Sequence, residues 1–239
     1  MGGSINQDRF QRVEQKYLFP AGYSDMIGDW MDYACAPDPL YPSGVVSSLY
    51  YDTPELFHFY ENRNGEFLRA KVRLRWYTDT STMDPDAGVR CFLEVKTKQG
   101  ALSTKQRREV VIRSGVLRDD PFSDEQILDL PAEVLDLGYQ AAGMLVPILL
   151  IRYRRRRYID VESGSGIALD AEIRCTRANE TVVQGMAPIY LDVGVLETKG
   201  MNREVCGVLK PIESHLTKSP FSKYAISLET LMQPLGRRV

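Results

Sequence analysis

Arg69, Lys71, Arg73 and Arg75 occupy every second position of one short run, with Ala70, Val72, Leu74 and Trp76 alternating with them. In an extended strand such positions share a face, so the spacing predicts a stripe of four cations backed by an apolar surface. Three further runs repeat the pattern. Phe92, Glu94, Lys96 and Lys98 share a face opposite Leu93, Val95 and Thr97. Arg12, Glu14 and Lys16 stand against Val13 and Tyr17, and Glu197 and Lys199 against Leu196. A one-sided antiparallel sheet also turns charge toward water, and any one of these stripes fits that reading. Their repetition points elsewhere. Like charges at i, i+2 and i+4 repel one another and call for a polyanion to neutralise them. Carboxylates set among such cations suit a hard divalent metal. The chemistry these residues could do is the handling of metal-bound phosphate.

The elements that must position these residues are mostly strands. Alternating, β-branched and aromatic stretches lie near Phe10–Phe19, Val45–Tyr51, Glu66–Tyr77, Arg90–Lys98, Arg107–Arg113, Pro147–Val161, Gly166–Arg174 and Ile189–Lys199. Eight such runs suit a closed antiparallel β-barrel, a mainly β fold with peripheral helices. Helical periodicity is found in Tyr23–Ala34, Pro131–Tyr139, Arg203–Leu216 and Lys223–Leu231, the last with Ser222 placed to cap it. Loops are marked by Pro37-Asp38-Pro39, by residues 78–88 and by Ser163-Gly164-Ser165-Gly166.

Composition narrows the class. With 239 residues, 44% of them apolar, the chain can bury a core as one large domain. A formal net charge of -2 argues against a globally basic nucleic-acid binder, so an anion site must come from local segregation of charge. Basic residues gather at 69–75, 96–108 and 152–157, whereas residues 119–136 are acidic. Cys35, Cys91, Cys175 and Cys206 form no CxxC pair and no secretory leader is recognisable, which suggests a reduced, cytoplasmic setting. The longest apolar run, Met144–Ile151, contains Pro147 and is too short to span a bilayer. His58 and His215 lack the companions of a zinc site, and no Walker-type loop is present. Tyr50, Tyr51, Tyr60 and Trp76 are read as core packing before any base pocket.

In their order the motifs resemble a known family. Val13-Glu14-Gln15-Lys16-Tyr17, Ser48-Leu49-Tyr50-Tyr51-Asp52-Thr53, Lys71-Val72-Arg73-Leu74-Arg75-Trp76-Tyr77 and Phe92-Leu93-Glu94-Val95-Lys96-Thr97 look like the opening strands of the VTC domain of polyphosphate polymerases, within the triphosphate tunnel metalloenzyme or CYTH-like superfamily. Tyr153-Arg154-Arg155-Arg156-Arg157-Tyr158, Val195-Leu196-Glu197-Thr198-Lys199 and Phe221-Ser222-Lys223-Tyr224 resemble its later motifs. The likeness covers residues 9–232, leaving 1–8 and 233–239 as terminal extensions. Arg12 stands where the wider superfamily opens with glutamate, which favours the VTC branch. The family usually carries an arginine in the strand after the Tyr-x-Arg motif; Gly166 or a close neighbour stands there instead.

The resemblance implies a metal-dependent polyphosphate polymerase, which transfers the γ-phosphoryl group of ATP to a growing polyphosphate chain. It implies Lys16, Arg73, Arg75, Lys96, Arg155 and Lys199 as catalytic phosphate ligands, joined by Arg63, Lys71, Lys98, Lys105 and Lys223. Glu197, with Glu14 and Glu94, is the expected ligand set of Mn2+ or Mg2+; Glu14 and Glu94 could equally act as counter-ions that orient neighbouring lysines. Tyr153, Arg155 and Arg157 would share one face of their strand, leaving Arg154 and Arg156 on the surface. ATP and inorganic polyphosphate are the expected partners, with a membrane partner protein as a further one and no nucleic acid. A triphosphatase of the same fold and a non-catalytic polyphosphate-binding domain are the alternatives.

Overall fold

The computed structural model describes residues 13–100, 102–200 and 207–233. In chain order the elements are β1 (Val13–Pro20), α1 (Ser24–Ala34), β2 (Ala36–Pro37), β3 (Ser43–Asp52), α2 (Phe57–Asn64), β4 (Leu68–Trp76), β5 (Gly88–Gln99) and β6 (Leu102–Arg113). There follow α3 (Ser114–Asp119), α4 (Glu125–Leu128), β7 (Val146–Ile159), β8 (Gly166–Ala178), β9 (Ile189–Tyr190), β10 (Val193–Gly200), β11 (Thr217–Lys218) and α5 (Lys223–Met232). The fold is mainly antiparallel sheet with peripheral helices, as the alternation predicted.

The chain divides into two compact units. The first is drawn from the described residues up to Ser43 and within Arg155–Ala171 and Asp192–Phe221. In it β1 pairs with β10 so that Lys16 faces Glu197 and Glu14 faces Lys199. That register needs a close approach. Gly194 lies opposite Phe19, and a Cβ at Gly194 would fall 2.0 Å from the Phe19 ring. Tyr17, Phe19, Ile27, Met31, Leu169 and Leu196 form part of this unit's core. Burial of each such side chain is worth about 1.5–3 kcal/mol.

The second unit comprises Gly44–Arg154, Glu172–Leu191 and the described chain from Ser222 onward. Here β3, β4, β5 and β6 pair in sequence order as an antiparallel meander. The predicted division of β4 holds, since Val72, Leu74 and Trp76 enter the core with Leu49, Leu93 and Ile112. Helix α5 is capped as expected, the Ser222 side chain accepting the amide of Ala225, and it buries Tyr224, Ser227, Leu228 and Leu231 at helical spacing.

Several expectations are corrected. Pairing runs β11-β1-β10-β8-β7-β3-β4-β5-β6, with β2 on β7 and β9 on β8. Among the described residues the end strands β11 and β6 do not pair with each other, so the closed eight-stranded barrel is replaced by an open sheet. β11 carries two residues, too little backbone for a closing ladder. The predicted strand at 107–113 begins at Leu102, and the run at 189–199 is broken into β9 and β10. The helix expected over 131–139 is a 3-10 turn, Leu130–Val134, and that expected over 203–216 is a 3-10 helix, Gly207–His215, its first residues lying outside the described chain. Pro211 lies inside the second of these and accounts for it, because it lacks the N–H of a regular α-helix and crowds the preceding turn. The start of the first predicted strand, including Arg12, also lies outside the described residues.

Candidate functional site

In the second unit, register builds a cation face across three strands. Lys71 of β4 faces Lys96 of β5, which faces Lys105 of β6. Adjacent strands are roughly 4.8 Å apart, so three lysines stand in a row about 10 Å long. One step along, Tyr50, Arg73, Glu94 and Arg107 form a second row, and Ser48, Arg75 and Phe92 a third. Arg69 faces Lys98, and the Arg69 Nε is buried with no hydrogen-bond partner. Like charges placed directly opposite one another destabilise a sheet, and a bound polyanion relieves that cost.

Glu94 braces this face. Its carboxylate, 2% exposed, meets Arg73 Nη2 at 2.6 Å and Arg75 Nη1 at 3.7 Å, and pairs with the Lys105 ammonium. Burial raises the pKa of Glu94, but Arg73, Arg75 and Lys105 outweigh it and hold the carboxyl well below the usual range. Lys105 is pushed down to about 8, by desolvation first and then by Arg73 and Arg75, against the pull of Glu94. Tyr50 is buried beside this face. Its hydroxyl lies 3.3 Å from Arg73 Nη1, and although burial raises the phenol, Arg73, Arg75 and Lys223 bring it below its ordinary value.

Helix α5 presents two further groups within the same unit. Lys71 Nζ donates to Ser222 Oγ at 2.9 Å, and Lys223 Nζ stands 4.6 Å from the Tyr153 ring centroid. Asp52 secures the helix. Its fully buried carboxylate accepts from the Tyr224 hydroxyl at 2.7 Å and from the amides of Thr53, His58 and Phe59. Tyr224 stacks on Tyr50 at 5.1 Å. His58 is buried and meets the Tyr139 hydroxyl at 2.6 Å. Arg63 is not on a strand of the cation face. It lies on α2, with Nε 3.8 Å from Glu229 of α5.

The first unit holds a balanced cluster. Lys16 Nζ lies 3.3 Å from Glu14 and donates to the Phe221 carbonyl at 3.3 Å. Glu197 stands 3.6 Å from Lys199 and 3.7 Å from Arg155. Arg155 donates two short bonds to Asp170, from Nε at 2.6 Å and Nη2 at 2.7 Å, and Asp170 is fully buried. Asp170, Ala168 and Gly166 share one face of β8, so this carboxylate occupies the strand in which the family arginine was expected. Arg156 turns instead to Asp32 at 2.9 Å, and Arg154 to Glu172 at 3.3 Å, both off the face carrying Arg155.

Among the described residues, no group of three His, Cys, Asp or Glu side chains converges as a complete metal cage. A complete cage is not what a phosphate-bound metal needs. Mg2+ and Mn2+ are commonly held by one or two carboxylates while substrate phosphates and water complete the shell. Glu14 and Glu197 stand on paired strands beside Lys16, Lys199 and Arg155, and their carboxylate oxygens are donors of the kind such a metal takes. Glu94, by contrast, is engaged by three cations. Asp170, Arg107, Tyr50 and Asp52 are the residues sequence reasoning did not assign. The shared parity of Arg107 with Lys105, and of Asp170 with Gly166, could have indicated those two, and Tyr50 and Asp52 stand within the motif Ser48–Thr53.

No helix among the described residues is long and apolar enough to cross a membrane. A search of curated proteins found no match. Among solved structures, a Bacillus halodurans protein described as a "putative adenylate cyclase" is similar at 12% identity and a TM-score of 0.50, over 89% of this chain and 94% of the other. A Vibrio parahaemolyticus protein described in the same words aligns over 92% of this chain and 99% of the other at 15% identity and a TM-score of 0.44. The first likeness shows the fold, a CYTH-like sheet. Residues 12–232 match the VTC domain family, and with nearly the whole chain so matched, the protein belongs to that family, within a superfamily of phosphate-handling enzymes.

Proposed function

We propose that the protein is a metal-dependent polyphosphate polymerase that moves the γ-phosphoryl group of ATP onto the end of a polyphosphate chain. The observation that carries this reading is the row Lys71, Lys96, Lys105 beside the Glu94-braced Arg73 and Arg75. A row about 10 Å long exceeds what a single phosphate group requires and suits several linked phosphates. In the transfer, a terminal oxygen of the polyphosphate bonds to the γ-phosphorus as the bond to the ADP oxygen breaks. Such a reaction needs in-line placement and neutralisation of phosphate oxygens more than covalent participation by the protein. Arg73 and Arg75 supply fixed, forked donors, whereas Lys71, Lys96, Lys98, Lys105 and Lys223 act as adjustable point charges.

In the first unit, Lys16, Arg155 and Lys199 are assigned to phosphate. Glu197, with Glu14, would hold Mn2+ or Mg2+, which when bound neutralises developing charge on the phosphate oxygens. Glu94 is assigned as the counter-ion that fixes Arg73 and Lys105. Metal-dependent ATP consumption tests the reading. The wild-type protein should convert ATP to ADP with Mn2+, and a Glu197→Ala, Lys16→Ala variant should lose at least a hundredfold in rate. An unchanged rate in that variant would remove the first unit from the reaction.

One observation favours a second reading, a polyphosphate-binding domain without turnover. Asp170 engages Arg155 with two short bonds in the strand where a cation was expected, which lowers the positive charge available to a triphosphate. Tight triphosphate binding with no ADP formed would select it. ADP with free phosphate alone would select the triphosphatase.

A further inference from the structure

One cavity of the second unit lies away from the cation face. It has a volume of about 200 Å3, with Trp76, Leu117 and Leu150 as apolar lining and Arg118, Arg152 and Arg177 brought in from α3, β7 and β8. Trp76 and Arg75 are consecutive in β4, so they project to opposite faces of that strand. The cavity therefore sits on the core side of β4, and Lys71, Arg73 and Arg75 project from the other.

The three arginines are not equivalent. Arg118 is committed, with Nε and Nη2 on Asp119 and Nη1 on the carbonyls of Thr80 and Met83. Arg177 donates Nη1 to the carbonyls of Arg118 and Asp119 at 3.0 and 2.9 Å. Arg152 reaches Asp79 at 3.3 Å through Nη2, and its Nε is buried without a hydrogen-bond partner. Beyond these bonds Arg152 Nη1 and Arg177 Nη2 carry further N–H groups, and guanidinium groups take an oxyanion through such charged donors. Asp79 and Asp119 offset two of the three guanidinium charges, which leaves one net positive charge for an anion. Ser81 and Thr80 add hydroxyl groups to the lining. The volume is below the roughly 300–1,000 Å3 typical of pockets for drug-sized ligands, so a nucleotide does not fit within it but a small oxyanion does.

We propose that this cavity is a second anion site, taking one inorganic phosphate or pyrophosphate between Arg152 and Arg177, independent of the cation face. The proposal does not depend on the polymerase reading and stands or falls by binding alone. Trp76 is a built-in reporter, because the chain has two tryptophans and Trp30→Phe leaves Trp76 as the sole emitter. Phosphate and pyrophosphate are titrated into the Trp30→Phe protein at constant ionic strength set with NaCl, while Trp76 emission is followed. The expected result is a saturable change that weakens at least tenfold in Arg177→Gln and in Arg152→Gln, and persists in a Lys71→Met, Lys96→Met variant. Arg177 is exposed, so its variant remains informative if Arg152→Gln fails to fold. No saturable change, a change that survives Arg177→Gln, or one lost with the two lysines would overturn the proposal.

Discussion

Asp170 is the residue whose role is most sharply defined by geometry, since its fully buried carboxylate meets Arg155 through two bonds under 2.8 Å. Removing one partner of such a pair leaves an uncompensated charge in a poor solvent. Asp170→Asn should therefore lower unfolding stability by about 3 kcal/mol, measured by denaturant titration, and added triphosphate should restore part of the loss by giving Arg155 a new anion. Lys105 makes a pH-dependent case. Its native value near 8 lies below the ordinary lysine value, so between about 8 and 10.5 the folded chain binds fewer protons than the unfolded one, and stability rises with pH through that window. Its side chain is 42% exposed, so solvent damps the effect. A bound polyanion favours the charged ammonium, so triphosphate affinity should fall by up to about tenfold from pH 7 to pH 9, and Lys105→Met should flatten that profile. The cations of β4 and β5 were legible in the sequence because alternation alone puts them on one face. The Asp170 pair was not, because it joins residues of two strands whose relative register no spacing within either strand reveals.

At the scale of elements, α5 adds a small set of polar contacts to the buried face of Tyr224, Leu228 and Leu231. Tyr224 bonds the buried Asp52 carboxylate, and Ser222 receives Lys71 while it caps the helix. Tyr224→Phe removes a hydrogen bond to a charged acceptor and should cost about 1.5–3 kcal/mol in stability. If α5 delivers Lys223 to phosphate, the same variant should raise KM for polyphosphate with little change in the metal requirement. Ser222→Ala should cost about 1 kcal/mol through the lost cap, and an unchanged unfolding midpoint would count against the cap's contribution. α5 and α1 could be read from their apolar spacing. α2 escaped notice because its sequence, Phe57–Asn64, carries little apolar periodicity and is entered through Leu56 at a φ of 61°, a conformation no propensity rule anticipates. The early part of β6 escaped for a related reason. Its residues from Leu102 to Gln106 are exposed and polar apart from Leu102, so they lack the alternation that marked the other strands.

For the whole molecule, a net charge of -2 means that attraction for a polyanion arises from local faces and not from overall charge. Triphosphate binding should accordingly weaken as NaCl rises from about 0.05 to 0.5 M, since exposed members of the cation face are screened over a few ångströms at the higher salt. Sheet content and family membership could both be anticipated, because they rest on local alternation and on motif order. Closure could not, since it depends on whether the end strands carry enough backbone to pair, and β11 supplies only two residues. The most direct test of the central claim is the fate of the γ-phosphate. ATP labelled at that position is incubated with the protein and Mn2+, and label is counted in long-chain polyphosphate, free phosphate and residual ATP. The polymerase account requires label in polyphosphate with an equal amount of ADP. Label confined to free phosphate, or left in ATP, would contradict it.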